Sequence, residues 1–402
     1  MILPRAVLCI SLLLLLVQPA KAFSAEQTVI GGHLKLLGLS YQNGPVGKES
    51  TGTLIAASQR VEVNATPTPR LELESALDNQ LSYSDLTEQV TLAGQSPNRY
   101  VDLEKNWQKN HNWSNRLSID RLNLTARSKN GDVSIGRQAI GFGRIATVSP
   151  LDVVAPFAPD VLDSDIRAGV DAIHGVHYFG LGGQIGATAV FGPEEQDNSY
   201  LITFSDNRVA TDFLAIGGTL RDRAMLGFGI AGNLGPLGVK LELSHYKGKN
   251  TDSVDGDLHH RFEIGAVELW YRFDSGIVLL TEYLYNGAGT DQPEDYLDAA
   301  TAATHTEGLS SLVGQQYLLI APSWEVHPLL SLSSLIIHNL DDDSSLMRPR
   351  LQVSLDDNLS LDLYYSHNSG RKPDLQFGTI PVPRSEFGAQ GDSGGMLLRW
   401  YF

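Results

Sequence analysis

The sequence predicts an all-β protein, a transmembrane antiparallel β-barrel of about 18 strands within a range of roughly 16 to 20. Three observations carry this. Strand-length runs alternate apolar and polar residues from one end of the chain to the other, the connectors between them are short and long by turns, and a secretory leader opens a chain that closes on an aromatic-ended strand.

The leader comes first. Met1 to Ala22 has one early cation, Arg5, then an apolar run from Ala6 to Val17, then Gln18-Pro19 and the small-x-small site Ala20-Lys21-Ala22. This is the layout of a secretory signal peptide, and its apolar run is well short of the ~20 residues that a membrane helix needs. The barrel domain is therefore expected over residues 23–402, a mature chain of 380 residues. The only cysteine, Cys9, falls in the leader. The mature chain then has no disulfide, no thiol nucleophile, no Cys-ligated metal and no Cys-x-x-Cys-His for haem attachment. Without Arg5 and Lys21, 28 basic residues face 46 acidic ones, a charge near −18. Such an acidic chain is a poor partner for nucleic acid, whose phosphates call for a basic surface.

The strands follow. They are expected near 28–41, 51–63, 70–84, 116–127, 131–140, 171–179, 183–191, 199–206, 210–221, 223–234, 236–248, 260–273, 276–286, 314–325, 327–340, 347–356, 358–368 and 391–402. Leu359, Leu361, Leu363 and Tyr365, set against Ser360, Asp362, Tyr364 and Ser366, show the period-two pattern most plainly. A soluble sandwich also alternates, with its apolar side inward, so alternation alone does not place the oily face. The connectors do. Every second one is a tight turn, as at Gly180-Leu181-Gly182 or Leu234-Gly235-Pro236, whereas 85–115, 141–170, 249–259, 287–313 and 369–390 are long and polar. Tight turns on one side and extended loops on the other are the pattern of an outer-membrane barrel. A barrel of this size is wide enough to leave an aqueous channel.

The last strand places apolar Met396, Leu398, Trp400 and Phe402 on one face, with Arg399 and Tyr401 on the other. It resembles the closing strand of bacterial outer-membrane β-barrels, in which a terminal Phe serves as an assembly signal. That resemblance implies recognition of Phe402 by barrel-assembly machinery, with Trp400 and Phe402 at the membrane interface. The segment Gly136 to Tyr178, with its Gly-Arg-Gln strand, Pro-Asp-containing loop and Gly-x-Asp strand, resembles porin-like outer-membrane proteins. In general porins such a loop folds inward and sets acids against lumen arginines. The resemblance implies a constriction at 141–170, with Asp152, Asp160, Asp163, Asp165 and Asp171 facing Arg121, Arg127, Arg137, Arg144 and Arg167. A salt-bridged surface loop would use the same charges. Outer-membrane lipid and lipopolysaccharide are the expected surroundings, and a homotrimer the expected assembly.

Other motifs have plainer readings. Gly391-Asp392-Ser393-Gly394-Gly395 matches the nucleophile motif of chymotrypsin-like proteases, but only seven residues follow it, so it is read as chance. The histidines lack a helical His-x-x-x-His pair, and neither Asp341-Asp342-Asp343 nor Asp255-Gly256-Asp257 has calcium-loop spacing, so no metal or cofactor is expected. The segment Trp107 to Trp113 reads as a loop cap or part of a plug. No enzyme activity is expected. Two functions remain open: a passive channel for small hydrophilic solutes or ions, mildly cation-preferring from the overall charge, and a sheath around a multihaem c-type cytochrome in a porin–cytochrome conduit for electron transport.

Overall fold

The computed structural model describes residues 27–42, 51–85, 98–109, 112–253, 255–376 and 380–402; the expected leader lies outside them. The wall strands are β1 (Gln27–Gln42), β2 (Thr51–Thr68), β3 (Leu71–Ser84), β5 (Trp113–Ser128), β6 (Gly131–Gln138), β7 (Val170–Phe179), β8 (Gly183–Phe191), β9 (Ser199–Arg208), β10 (Thr211–Leu220), β11 (Arg223–Leu234), β12 (Leu237–Lys247), β13 (Arg261–Arg272), β14 (Val278–Asn286), β15 (Gln316–His327), β16 (Leu330–Asn339), β17 (Ser344–Asp356), β18 (Leu359–Ser369) and β21 (Ser393–Tyr401). Each pairs antiparallel with its neighbours in the chain, and β21 pairs with β1 from His33↔Tyr401 to Tyr41↔Ser393, which closes an 18-strand barrel. Closure leaves no row of unpaired backbone groups at a sheet edge, as a hydrocarbon surround demands.

Every expected strand is present, with ends shifted by a few residues. One further strand lies in the segment expected as a loop: β4 (Glu104–Lys109) pairs with the upper half of β5, from Glu104↔Ser118 to Lys109↔Ser114. Its place is created by β6, which stops at Gln138 and covers β5 only from Leu122 onward. Trp107 is therefore part of a strand at the wall, not of a plug. Loop 287–315 carries two short helices, α1 (Tyr296–Thr301) and α2 (Ala303–Thr306), and loop 370–392 carries the hairpin β19 (Asp374–Gln376) and β20 (Ile380–Val382).

The expected alternation of connectors is present. At one end of the barrel none is longer than 273–277, whereas the other end carries 85–112, 139–169, 248–260, 287–315 and 370–392. Among the described residues the shorter connectors at the long-loop end are 192–198, 340–343 and the two-residue turn Arg221-Asp222, whose φ angles of 46° and 65° match the twist of its flanking strands.

Alternate residues divide the wall chemically. Outward positions are apolar and open: Ile202 is 61% exposed, Leu226 67% and Leu243 48%. Aromatics mark both rims of this belt, with Trp324, Phe273, Trp400 and Phe402 near the tight turns and Tyr83, Trp113, Tyr285 and Tyr365 near the loops. Inward positions differ around the ring. Leu214, Ile216, Ile264, Leu284 and Leu319 form a buried apolar cluster with Ile145, Leu151, Val153 and Val154 of the segment between β6 and β7. A second, smaller apolar cluster of Leu37, Leu54, Ala56, Tyr364 and Leu397 lies inside β1, β2, β18 and β21, and a polar cavity is left against β1, β2, β3 and β5.

Candidate functional site in the lumen

The site is built by residues 139–169, which leave the wall at the end of β6 and return at Val170. The segment touches inward-facing side chains of β1, β12, β13, β14, β17 and β21, strands spread around the ring, so it crosses the interior. Its backbone is held by wall carboxylates. Glu242 on β12 accepts the N–H of Arg144 (2.5 Å), Ile145 (3.2 Å) and Leu151 (3.3 Å) and the Ser149 hydroxyl (2.5 Å). Glu268 on β13 accepts Ala146 N–H at 2.6 Å and meets Lys240 at 2.6 Å, and Glu282 on β14 accepts Val148 N–H at 3.2 Å. Buried carboxylates are costly unless they are paired or hydrogen-bonded, and here backbone donors supply most of the compensation.

The far end of the segment is held by cations. Lys35 on β1 meets Asp163 at 2.8 Å and Asp165 at 2.9 Å, and Arg399 on β21 meets Asp165 at 3.2 Å. Tyr401 donates to Asp165 at 2.6 Å and Arg348 on β17 to the Asp160 carbonyl at 2.5 Å. Burial alone would raise the Asp165 carboxyl, but the Tyr401 and Lys35 hydrogen bonds and the nearby Arg399 charge hold it well below the usual carboxylate range. Within the segment, Arg167 closes on Asp152 at 2.6 Å; burial nonetheless leaves the Asp152 carboxyl above its ordinary value.

A second cluster lies against β2, β3 and β5. The register of β3 and β5 slips between Ala76↔Arg121 and Leu77↔Ile119, which makes Asp120 an extra, bulged residue and places it beside Arg121. Bulges re-aim side chains, and this one gathers guanidinium groups. Asp120 accepts from Arg60 at 2.8 Å, Arg99 at 2.7 Å, Arg121, and the N–H of Gly169 at 3.0 Å. Residue 169 must be glycine, since a Cβ there would lie 2.1 Å from the Asp120 carbonyl oxygen. Arg60 also meets Asp78 at 2.6 Å, and Arg137 pairs with Asp171 at 2.7 Å.

Two cavities share Arg99 in their linings. The outer, about 560 Å³, is bounded by the cations Arg99, Arg137 and Arg221 and the acids Asp102, Glu104, Asp197 and Glu307. The inner, about 120 Å³, is bounded by Lys35, Arg60, Asp78, Arg99, Arg116, Asp120 and Asp163. In the inner one Arg116 is the loosest cation: it donates to Gln80 at 3.0 Å and stands 3.8 Å from Glu104.

The residues expected at a constriction divide as follows. Arg121, Arg137, Asp152, Asp163, Asp165, Arg167 and Asp171 are drawn together by the crossing segment, its ends and the wall beside them. Arg144 is on the segment but leans 3.6 Å from Asp212 on β10, and Arg127 lies by the tight turns, exposed and paired with Glu72. Trp400 and Phe402 sit outward at the turn-end rim, while Arg399 and Tyr401 point inward. The wall partners Lys35, Arg60, Asp120, Glu242, Glu268 and Glu282 were not singled out. The doublet Asp120-Arg121 was a usable signal, since two adjacent charges break a period-two strand. Ser393 pairs in register with inward Ser366, which puts it on the face opposite to His367, the histidine bonded to Asp392 at 2.9 Å. The protease-like pentapeptide therefore assembles no triad. Asp341, Asp342 and Asp257 spend their oxygens on backbone N–H groups and Arg223, and no metal-holding group of three occurs among the described residues.

No family model matches the sequence, and no curated protein does. Solved structures do match. OccAB4 of Acinetobacter baumannii is 8% identical with a TM-score of 0.58 over 94% of this chain and 99% of that one. OccK11 (OpdR) of Pseudomonas aeruginosa is 10% identical with a TM-score of 0.58 over 94% and 96%. A BenF-like porin from Pseudomonas fluorescens Pf-5 is 10% identical with a TM-score of 0.59 over 94% and 99%. At such low identity the likeness concerns architecture, and with the closed ring and its apolar belt it establishes that this chain has the 18-strand fold of the bacterial outer-membrane porins.

Proposed function

We propose that the protein is an outer-membrane channel for passive passage of small hydrophilic solutes, favouring those that carry an anionic group. The observation that carries this reading is the pair of cavities that share Arg99 in their linings, of which the inner sets four basic side chains, Lys35, Arg60, Arg99 and Arg116, against Asp78, Asp120 and Asp163. A narrow passage with low-dielectric walls focuses the field of the charges that line it, so local balance outweighs the total charge of the chain. The overall acidity points mildly to cations, as does the lining of the outer cavity; the residues of the narrower inner cavity, which sets the selectivity in this reading, point the other way. In this reading Arg121, Arg137, Arg167, Asp152, Asp163, Asp165 and Asp171 hold the constriction in shape, and Arg116 meets the solute. Phe402 with Trp400 retains its expected role as assembly signal, and Met1 to Ala22 as leader.

The cytochrome sheath has no comparable support. A sheath needs an empty lumen, whereas residues 139–169 cross this one and bond to both sides of it.

The test is the reversal potential of the purified protein in planar bilayers under a salt gradient. Arg116→Glu should move it toward cation selectivity with the barrel intact. An unchanged reversal potential would remove the inner cavity from the conduction path.

A further inference from the structure

The 18 wall strands carry one pair of cations outward on their loop-side half. Lys247, the last residue of β12, stands directly opposite Arg261, the first of β13. The N–H of Gly248 bonds to the His260 carbonyl at 2.9 Å, so the ladder continues past the pair and neither residue lies at a frayed end. That bond makes Lys247 and Arg261 a non-hydrogen-bonded pair, the closer of the two antiparallel spacings, with Cα atoms about 4.5 Å apart. Like charges directly opposite each other destabilise a sheet. Both residues are exposed, and the side chain of neither makes a hydrogen bond or ion pair among the described residues. Glu263, one outward step below, is taken by His245 at 2.8 Å. Every other cation on the wall strands faces the lumen, as Lys35, Arg60 and Arg116 do, or lies toward the tight turns, as Arg127, Arg208 and Arg272 do.

We propose that Lys247 and Arg261 form a binding site for a phosphate of lipopolysaccharide in the outer leaflet. Height supports this. Tyr285 marks the aromatic rim on β14 and is level with Gly265 and Leu243, so the two cations lie two outward steps above it. Four residues are about 13 Å of strand and, at the usual tilt, about 10 Å of height, which passes the hydrocarbon edge and enters the layer of charged groups. The long-loop end faces the cell exterior in outer-membrane barrels, so the pair meets the lipopolysaccharide leaflet and not the phospholipid one. Beside it the surface is low. Ala224 of β11 precedes Met225, the partner of Tyr246, and so stands next to Lys247, with Thr219 of β10 opposite it. Below this shelf Leu226, Leu241 and Leu243 offer an apolar wall to acyl chains. A phosphate between the cations removes their repulsion and accepts the hydrogen bonds that neither finds in the protein. The guanidinium fork binds two of its oxygens and the ammonium a third. The proposal needs only the outer-membrane fold and is independent of what the lumen conducts.

The test titrates the purified barrel in mild detergent with lipopolysaccharide and reads the retained molecules by native mass spectrometry. Lys247→Gln with Arg261→Gln should weaken retention by at least about tenfold, since a single hydrogen bond to a charged group is worth that much. Lys105→Gln, at an exposed cation on β4 opposite Leu117, should leave it unchanged. Heat-modifiable gel mobility reports that each variant is folded. Lipopolysaccharide stripped of its phosphates is a second probe and needs no variant: the parent should bind it as weakly as the double variant binds the intact form. Equal retention by parent and folded double variant, undiminished retention of the stripped form, or equal retention of phosphatidylglycerol would overturn the site. Conductance of the double variant should equal that of the parent. A parent without conductance refutes the channel alone, and a parent that conducts but shows no phosphate-dependent retention refutes this site alone.

Discussion

Glu242→Ala tests whether wall carboxylates hold the constriction. Glu242 is 2% exposed and accepts four donors from the crossing segment, three of them backbone N–H groups. At about 1 kcal/mol net for each hydrogen bond, the anchor contributes about 4 kcal/mol, or about a thousand-fold in the ratio of seated to displaced segment. The segment is not expelled, because Glu268, Glu282, Lys35 and the apolar packing of Leu151 and Val153 remain. Residues 143–151 should instead move between positions. Single-channel recording reads this directly, as raised open-channel noise and a larger mean conductance. Glu242→Gln should fall between, since its carbonyl oxygen still accepts while its NH₂ faces donors. A folded Glu242→Ala barrel as quiet as the parent and of equal conductance would refute the anchoring argument.

Other outcomes follow from the loop end. Glu386 in loop 370–392 accepts from Tyr317 at 2.6 Å, Asn339 at 2.9 Å and Val313 N–H at 3.1 Å, with Asp342 and Tyr296 in the same cluster. Burial pushes its carboxyl up to about 7 despite those donors. A raised folded value means that its stabilising effect is full below the ordinary 4.5 and is lost as pH rises through about 7. Amide exchange at 310–316 and 384–388 should therefore be faster at pH 8.5 than at pH 5.5 for reasons beyond intrinsic chemistry, and Glu386→Gln should remove that excess. Arg223→Met leaves Asp257 buried without its guanidinium partner, which lies at 2.5 Å, and should destabilise the packing of loops 248–260 and 287–315 by about 3–5 kcal/mol. Limited proteolysis of intact cells checks this, with cleavage in those loops and a barrel that stays heat-modifiable. Arg116→Glu and its reversal potential complete the set.

The wall was legible because each strand announces itself locally. In β18 the oily and polar residues alternate without interruption, and in β21 the aromatic end fixes which face meets lipid; neither needs knowledge of a distant residue. The order of the ring then follows from tight turns, since a two-residue connector leaves its strands no choice but to pair. β4 escaped because its reason for existing is elsewhere: six residues without clean alternation become a strand only because β6 ends early and leaves the upper half of β5 unpaired.

The lumen is a different kind of object. Lys35 meets Asp163 across 128 positions of sequence and Tyr401 meets Asp165 across 236, and nothing in the local pattern of either partner encodes the other. Acids and arginines around 136–178 could be named as a group because they lie close in the chain, but their partners on β1, β17 and β21 could not. The glutamates on β12–β14 are the hardest case. As inward polar residues they are ordinary for a barrel, and what they bind is the main chain of the crossing segment, which every residue carries and no motif marks. Sequence therefore specifies where charge enters the lumen, whereas the local field depends on which of those charges remain unpaired in the folded barrel. Arg60 and Arg399 are held by close carboxylates, whereas Arg116 has only Glu104, at 3.8 Å. Those partners are brought together by strand register and by the bulge at Asp120, which is why the sign of the local field has to be argued from contacts and cannot be argued from composition.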